Sequence, residues 1–216
     1  MNIIKTFARR AGRKLSDNKL DALDGMLPQY LFSAEKLSQL NYENIALESG
    51  FGKGENIVRQ AIANPSTLYI GAEVFESGVA SLLSLMKEFS ITNILVWPKD
   101  ADELLNDVPI NSLSEFFLLF PDPWTKRRHA KRRFLQEWRI LLILKKLKSG
   151  GVLYFASDIS DYIDMVKELC TKLNLKHELS RDANFNNYQN TRYHEKALRD
   201  GRQAQFIKIF NLIYTP

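Results

Sequence analysis

Short apolar runs alternate along this chain with longer stretches in which apolar residues recur every three or four positions, and that alternation restricts the fold more than any other feature. Ile45-Ala46-Leu47, Leu68-Tyr69-Ile70, Ile94-Leu95-Val96, Phe116 to Phe120 and Val152 to Phe155 lack the polar alternation of a half-exposed strand and read as strands buried on both faces. Between and after them lie helical stripes. Ile57, Val58, Ala61 and Ile62 form one, and Phe75, Val79, Leu82, Leu83 and Met86 another. Phe134, Trp138, Leu141 and Leu142 make a third, and Tyr162, Val166, Leu169 and Leu173 a fourth. Repeated strand–helix units predict an α/β fold, a mostly parallel sheet with helices on both faces. Gln203 to Tyr214 is strand-like with no helix after it, so an antiparallel C-terminal edge is expected. The polar, asparagine-rich stretch Arg181 to Glu195 has no periodic apolar face and reads as a long loop, a place where function or mobility concentrates.

Length sets the scale: 216 residues suit one domain, here taken as residues 41–216, preceded by a basic arm and lead-in helix in residues 1–40. No apolar run approaches the length of a bilayer span. Met1 to Lys14 is basic, but no apolar stretch follows Arg9-Arg10 as a targeting peptide would require, so a surface arm is expected. A single cysteine, Cys170, rules out an intramolecular disulfide within the chain and a cysteine-based zinc site, and its place beside Ile163, Val166 and Leu173 reads as core. His129, His177 and His194 show no metal-ligand spacing. A cytoplasmic, metal-free protein with no membrane attachment is expected, as a monomer or homodimer.

The net charge of +5 is concentrated. Lys126, Arg127, Arg128, Lys131, Arg132 and Arg133 place six cations within eight residues, and without them the net charge would be −1. So local a patch points to a polyanionic partner.

Glu48-Ser49-Gly50-Phe51-Gly52-Lys53-Gly54-Glu55 lies between the first strand and the first helix of the alternating pattern. Glycines at such a turn let the backbone bend sharply and approach a ligand closely, although a purely structural turn would also use them. Glu73 ends the second strand, 19 residues beyond Gly54, where a carboxylate can accept hydrogen bonds from ribose hydroxyls. A dinucleotide fingerprint would need a third glycine at position 55, which is Glu55, and a glutamate there repels pyrophosphate. S-adenosylmethionine has no phosphate and carries a sulfonium and an ammonium. Glu48, Glu73 and Asp100, at or just past strand ends, suit those cations and the ribose, so a methyl donor is favoured over a nicotinamide dinucleotide. Asp100 has a second reading as the cap of a helix from Ala101 to Leu105.

The fourth strand runs into Pro121-Asp122-Pro123-Trp124. Ligands of open parallel sheets bind beyond the strands' carboxyl ends, and two prolines fix the backbone around Asp122. Asp122 is therefore expected near the cofactor, or else simply serves a proline turn. Lys131, Arg132 and Arg133 are expected in or just before the first turn of the following helix, where the macrodipole disfavours cations unless a phosphate binds. Contacts from such a run to RNA phosphates would give salt-dependent affinity; an uninvolved surface is the alternative.

With these residues in view, the chain resembles the bacterial tRNA (guanine-N7-)-methyltransferases, which modify position 46 in the tRNA variable loop. Phe-Pro-Asp-Pro-Trp at Phe120 to Trp124, followed by a run ending Lys131-Arg132-Arg133, carries the resemblance. Arg9-Arg10-Ala11-Gly12-Arg13, Leu47 to Gly52, Gly71-Ala72-Glu73-Val74, Ala156-Ser157-Asp158 and Thr191-Arg192-Tyr193 with Glu195-Lys196 support it. The resemblance implies a Rossmann-like class I S-adenosylmethionine-dependent methyltransferase fold. It implies cofactor contacts from Glu48, Gly50, Gly52, Gly54, Glu73, Asp100 and Asp122, with Asp122 also catalytic. Lys126, Asp158, Thr191, Arg192, Tyr193 and His194 would bind substrate. Arg128, His129, Ala130, Lys131, Arg132 and Arg133 would bind RNA. Two positions depart from the family pattern: Ser49 replaces an aliphatic residue, and His194 stands where glutamate is usual, with Glu195 adjacent, which leaves the glutamate's role open between the two.

Guanine N7 offers a lone pair and no proton, so the reaction implied needs orientation more than a strong base. Two other classes fit parts of the sequence: another RNA methyltransferase of the same fold, and a non-catalytic tRNA-binding module.

Overall fold

A computed structural model describes residues 15–183 and 185–212. The expected basic arm, including Arg9 to Arg13, and the end of the expected last strand beyond Leu212 lie outside the described residues. The chain forms two compact units that divide between Val108 and Pro109.

The first unit runs α1 (Asp17–Tyr30), α2 (Ala34–Gln39), β1 (Asn44–Ser49), α3 (Glu55–Ala63), β2 (Thr67–Ala72), α4 (Glu76–Glu88), β3 (Ile94–Trp97) and α5 (Ala101–Asp107). Its strands are parallel in the order β3-β2-β1, with Asn44 to Ser49 in register with Thr67 to Ala72 and Tyr69 to Ala72 with Ile94 to Trp97. Every residue of β2 is buried, as a central strand covered on both faces requires. The expected stripe of α4 is the one buried: Val79, Leu82, Leu83 and Met86 are all shielded. In α3 the register is slightly rotated, so that Asn56 and Gln60 are buried with Ile57, Val58 and Ala61 while Ile62 is 53% exposed.

The second unit runs β4 (Leu113–Leu119), a 3₁₀ helix (Arg127–Arg132), α6 (Glu137–Lys146), β5 (Leu147–Ser157), α7 (Ser160–Lys172), β6 (His177–Ser180), α8 (Arg192–Arg199) and β7 (Gln205–Phe210). β4 and β5 are parallel, and β7 lies antiparallel between β5 and β6. The C-terminal strand therefore is not outermost; β6 is. Its four residues, none fully buried, are too few and too polar to announce a strand.

Two further expectations need correction. In α6 the buried face is Ile140, Ile143 and Leu144, whereas Trp138 and Leu141 are 45% and 48% exposed. The helix starts at Glu137, beyond Phe134, and five consecutive apolar residues from Ile140 to Leu144 offered more than one register. Arg139 is buried and its guanidinium lies 4.3 Å from the ring centres of both Phe134 and Trp138. The polar stretch from Arg181 also ends earlier than expected, since α8 begins at Arg192. Cys170 is core, as read, and burial pushes its thiol pKa up to about 11. Among the described residues no helix is long and apolar enough to cross a membrane, and no cluster of His, Cys, Asp or Glu could hold a metal ion.

Candidate active site

In the first unit, the candidate cofactor residues gather where the parallel strands end. Gly50, Gly52 and Gly54 have φ of 72°, 61° and 91°, a region that non-glycine side chains resist, so the turn from β1 into α3 depends on them. Glu48, near the end of β1, is only 4% exposed. Burial pushes its carboxyl pKa up to about 8; a 2.9 Å hydrogen bond from the Asn56 amide works against that rise, and the charges of Glu55 and Glu73 add to it. The other end of the same amide, Asn56 Oδ1, is buried without a hydrogen-bond partner. Glu73 binds two turns together: Gly52 N–H donates to its Oε2 and Phe75 N–H to its Oε1, each at 2.9 Å. Asp100 follows β3, and its Oδ1 accepts the Asp102 N–H at 3.0 Å, so the helix-cap reading holds for that oxygen.

The buried Glu48 makes stability depend on pH. Its carboxyl binds protons more tightly when folded than when unfolded, so the folded state loses ground as pH rises from about 4.5, the ordinary value, to about 8. Thermal melts of ligand-free protein are expected to fall across that window. Glu48→Gln should flatten this dependence and raise the melting temperature at pH 8. A wild-type slope unchanged in the variant would locate the effect elsewhere.

In the second unit, the last bond between β4 and β5 is donated by Phe120 N–H to the Ala156 carbonyl, at 2.8 Å. From there the chain turns through Pro121-Asp122-Pro123-Trp124, with Phe120 and Trp124 at φ of 51° and 43°. Left-handed φ at two aromatic residues within five positions marks stored strain of the kind that accumulates at functional loops. Asp122 sits on the rim of this turn, open to solvent on one side, and crowding on the other pushes its carboxyl pKa up.

The basic run does not open α6, whose first turn carries Glu137. It forms its own 3₁₀ helix, and His129, Lys131 and Arg132 lie in its last turn, where cations are favourable. The expectation that these cations need a phosphate to offset a helix N-terminus is therefore withdrawn. Lys126, Arg127, Arg128 and Lys131 are exposed, and Ala130 is half-buried. Arg132 lies 5.0 Å over the Trp124 ring and His129 meets it edge-on at 5.8 Å. Desolvation, then the charges of Arg132, Arg128 and Lys126, hold His129 below its usual pKa. Arg133 is the exception in the run: it is 5% exposed, and its guanidinium is directed inward. It is not a surface cation.

Thr191 is the buried cap of α8, its hydroxyl accepting the His194 N–H at 3.3 Å. Arg192 and Glu195 are exposed, as is Tyr193 at 57%. His194 points into an aromatic cluster, stacked at 5.4 Å on Phe120, with Nδ1 2.8 Å from the Tyr188 hydroxyl. Burial lowers its pKa, against the raising influence of Asp158 and Glu195. Asp158 Oδ2 accepts from Arg202 Nε at 2.6 Å, and Arg202 also pairs with Asp200 at 2.9 Å. The fold thus brings Asp158, His194 and the start of the Pro-Asp-Pro turn together. Arg202, Tyr188, Asn56 and Gly78 were not foreseen; only Gly201, a helix-ending residue with φ of 69° just before Arg202, hinted that the latter is fixed in place.

A family model described as "Putative methyltransferase" matches residues 42–207. The tRNA (guanine-N(7)-)-methyltransferase of Wolbachia pipientis is 36% identical over 95% of this chain and 91% of its own length; that of Agrobacterium fabrum is 33% identical over 93% and 92%. The chain belongs to the tRNA (guanine-N7-)-methyltransferase family. A "Bifunctional methyltransferase" of Rickettsia felis is 42% identical over 96% of this chain, which spans only 40% of that protein. This chain shares its fold with other methyltransferases: a 16S rRNA methyltransferase, KamB, superposes with a TM-score of 0.61 at 16% identity over 83% of this chain and 94% of its own. An antibiotic-related methyltransferase gives 0.59 at 16% identity over 83% and 94%. The fold is the Rossmann-like class I S-adenosylmethionine-dependent methyltransferase fold, with parallel strands and antiparallel strands at its C-terminal edge.

Proposed function

We propose that this chain transfers a methyl group from S-adenosyl-L-methionine to N7 of guanine in tRNA, at position 46 of the variable loop, with residues 41–216 as the catalytic module and 1–40 as an arm and lead-in. The observation that carries the proposal is the strained Pro-Asp-Pro turn, which presents Asp122 directly before a 3₁₀ helix of exposed cations. The relatives named tRNA (guanine-N(7)-)-methyltransferase support the transfer to guanine N7 in tRNA.

The residues at the β1–α3 turn fit the methyl donor. Glu48 is a buried carboxyl that can ionise against a cationic ligand, and Asn56 Oδ1 beside it is an unpartnered acceptor. Glu73 stands just past the end of β2, where a carboxylate suits ribose hydroxyls. The main chain of Gly52 comes so close to Gly78 that a Cβ there would lie 2.3 Å from its carbonyl oxygen. Glu48, Gly50, Gly52, Gly54, Glu73 and Asp100 are assigned to hold the donor, with Asp122 as a further contact. When bound, the donor supplies a methyl group already activated on a sulfonium. Asp122 orients the guanine and stabilises the positive charge that develops on its ring as N7 is methylated. Lys126, Asp158, Thr191, Arg192, Tyr193 and His194 are assigned to the guanosine and its neighbours, Thr191 by fixing the start of α8. Arg128, His129, Ala130, Lys131 and Arg132 are assigned to the RNA backbone.

Incubation with unmodified tRNA and labelled donor, followed by mapping of the modified base, tests the reading. Label on N7 of guanine 46 is expected; label on any other atom would overturn it. Replacing the exposed Arg128 and Lys131 with Ala should lower the magnitude of the log–log salt slope of tRNA binding by about 2, since each cation removed leaves one phosphate with its own counterions. An unchanged slope would show that these side chains do not touch the backbone.

A further inference from the structure

We propose that Arg133 is a positioning residue for Asp122 and not an RNA contact; the proposal rests on the reading of Asp122 given above. Pro121 and Pro123 flank Asp122 and have no N–H to donate, so the turn has few donors of its own and its carbonyls are natural points of anchorage. Arg133 supplies such an anchor. Its Nε donates to the Pro123 carbonyl at 2.9 Å, one residue past Asp122, and its Nη1 donates to the Asp161 carbonyl in the first turn of α7, also at 2.9 Å.

The guanidinium itself is fixed. It lies 4.9 Å over the Tyr162 ring, with Nη1 3.8 Å from Met165 Sδ. Tyr162 is fully buried, and its hydroxyl accepts the Leu135 N–H at 3.0 Å. One planar cation thus links α7 to the strained turn, with Phe120 and Trp124 in left-handed conformations on either side of the point it holds. A lysine could not take its place, because a single ammonium offers neither the planar fork that spans two carbonyls nor the flat face that stacks on a ring. Arg132, the adjacent residue, is half-exposed over Trp124, so neighbouring arginines in one basic run carry different tasks.

The test compares Arg133→Met, Arg133→Lys and Arg132→Ala with wild type, using unmodified tRNA and labelled S-adenosyl-L-methionine. For Arg133→Met, kcat is expected to fall about 100-fold, the scale of an ångström-level misplacement of a reacting group. Its KM for tRNA and the salt slope of tRNA binding should stay within about twofold of wild type, as expected for a group that makes no phosphate contact. Arg133→Lys should not restore kcat, whereas Arg132→Ala should raise KM and flatten the salt slope. The proposal is overturned if Arg133→Met flattens the salt slope while sparing kcat, if Lys restores full turnover, or if neither Arg133 variant folds, which would make the residue a stability post alone. Failure of wild type to methylate tRNA would instead sink the functional reading.

Discussion

Asp122→Asn should fold, melt close to wild type and still bind tRNA, yet turn over about 100- to 1,000-fold more slowly, the usual cost of removing one preorganised electrostatic contact to a developing charge. The substitution is nearly isosteric, and Asp122 stands on the open rim of its turn, so packing gives little reason for a change in stability. What disappears is negative charge at the point where a guanine ring would become positive. The same assignment fixes a pH dependence. The carboxylate is the working form, so kcat should be high at neutral pH and decline as the group protonates. Crowding raises its pKa, so the acid limb should lie above the ordinary aspartate value of 3.8. Single-turnover rates across pH for wild type and Asp122→Asn would check both points. Turnover near wild type in Asp122→Asn, or an acid limb that persists in it, would remove Asp122 from the chemistry.

Gly78→Ala is expected to have the second large effect, although a helical glycine replaced by alanine normally gains up to about 1 kcal/mol. Here the new Cβ would sit 2.3 Å from the Gly52 carbonyl oxygen and 3.1 Å from Glu73 Cγ. The first of these is main chain and cannot swing away, so the β1–α3 turn must move. Forced overpacking of this kind costs about 1–3 kcal/mol and outweighs the propensity gain. The displaced turn carries the Gly52 N–H that Glu73 accepts, so affinity for S-adenosyl-L-methionine should drop by tenfold or more in calorimetry. Gly25→Ala in α1, where a Cβ would meet nothing within 4 Å, serves as the comparison and should be neutral or stabilising. Equal behaviour of the two variants would mean that the close approach at Gly78 has no role in holding the turn.

These outcomes also mark which parts of the molecule were readable from residue order. Strands buried on both faces announce themselves as apolar runs, and their ends place Glu48, Glu73, Asp100 and Asp122 without further information. The face of α6 was not readable, because Ile140 to Leu144 is apolar throughout and its orientation is decided by what packs against it. Charge runs hide individual roles in the same way: nothing in Lys131-Arg132-Arg133 says that the last side chain turns inward, since the acceptors it meets, Pro123 and Asp161, are 10 and 28 residues away. His194 is a related case. The sequence raised it as a departure from the family pattern, but only the fold shows it stacked on Phe120 and bonded to Tyr188.

The burial of Glu48 has a consequence for how long the protein lasts. An acid held in a dry place gains most from an opposite charge brought beside it, and that gain belongs to the folded state. A cationic ligand that binds beside it adds stability in proportion to the logarithm of its concentration. Resistance to heat and proteolysis would then rise and fall with the supply of methyl donor, so that the molecules best protected are those equipped to work.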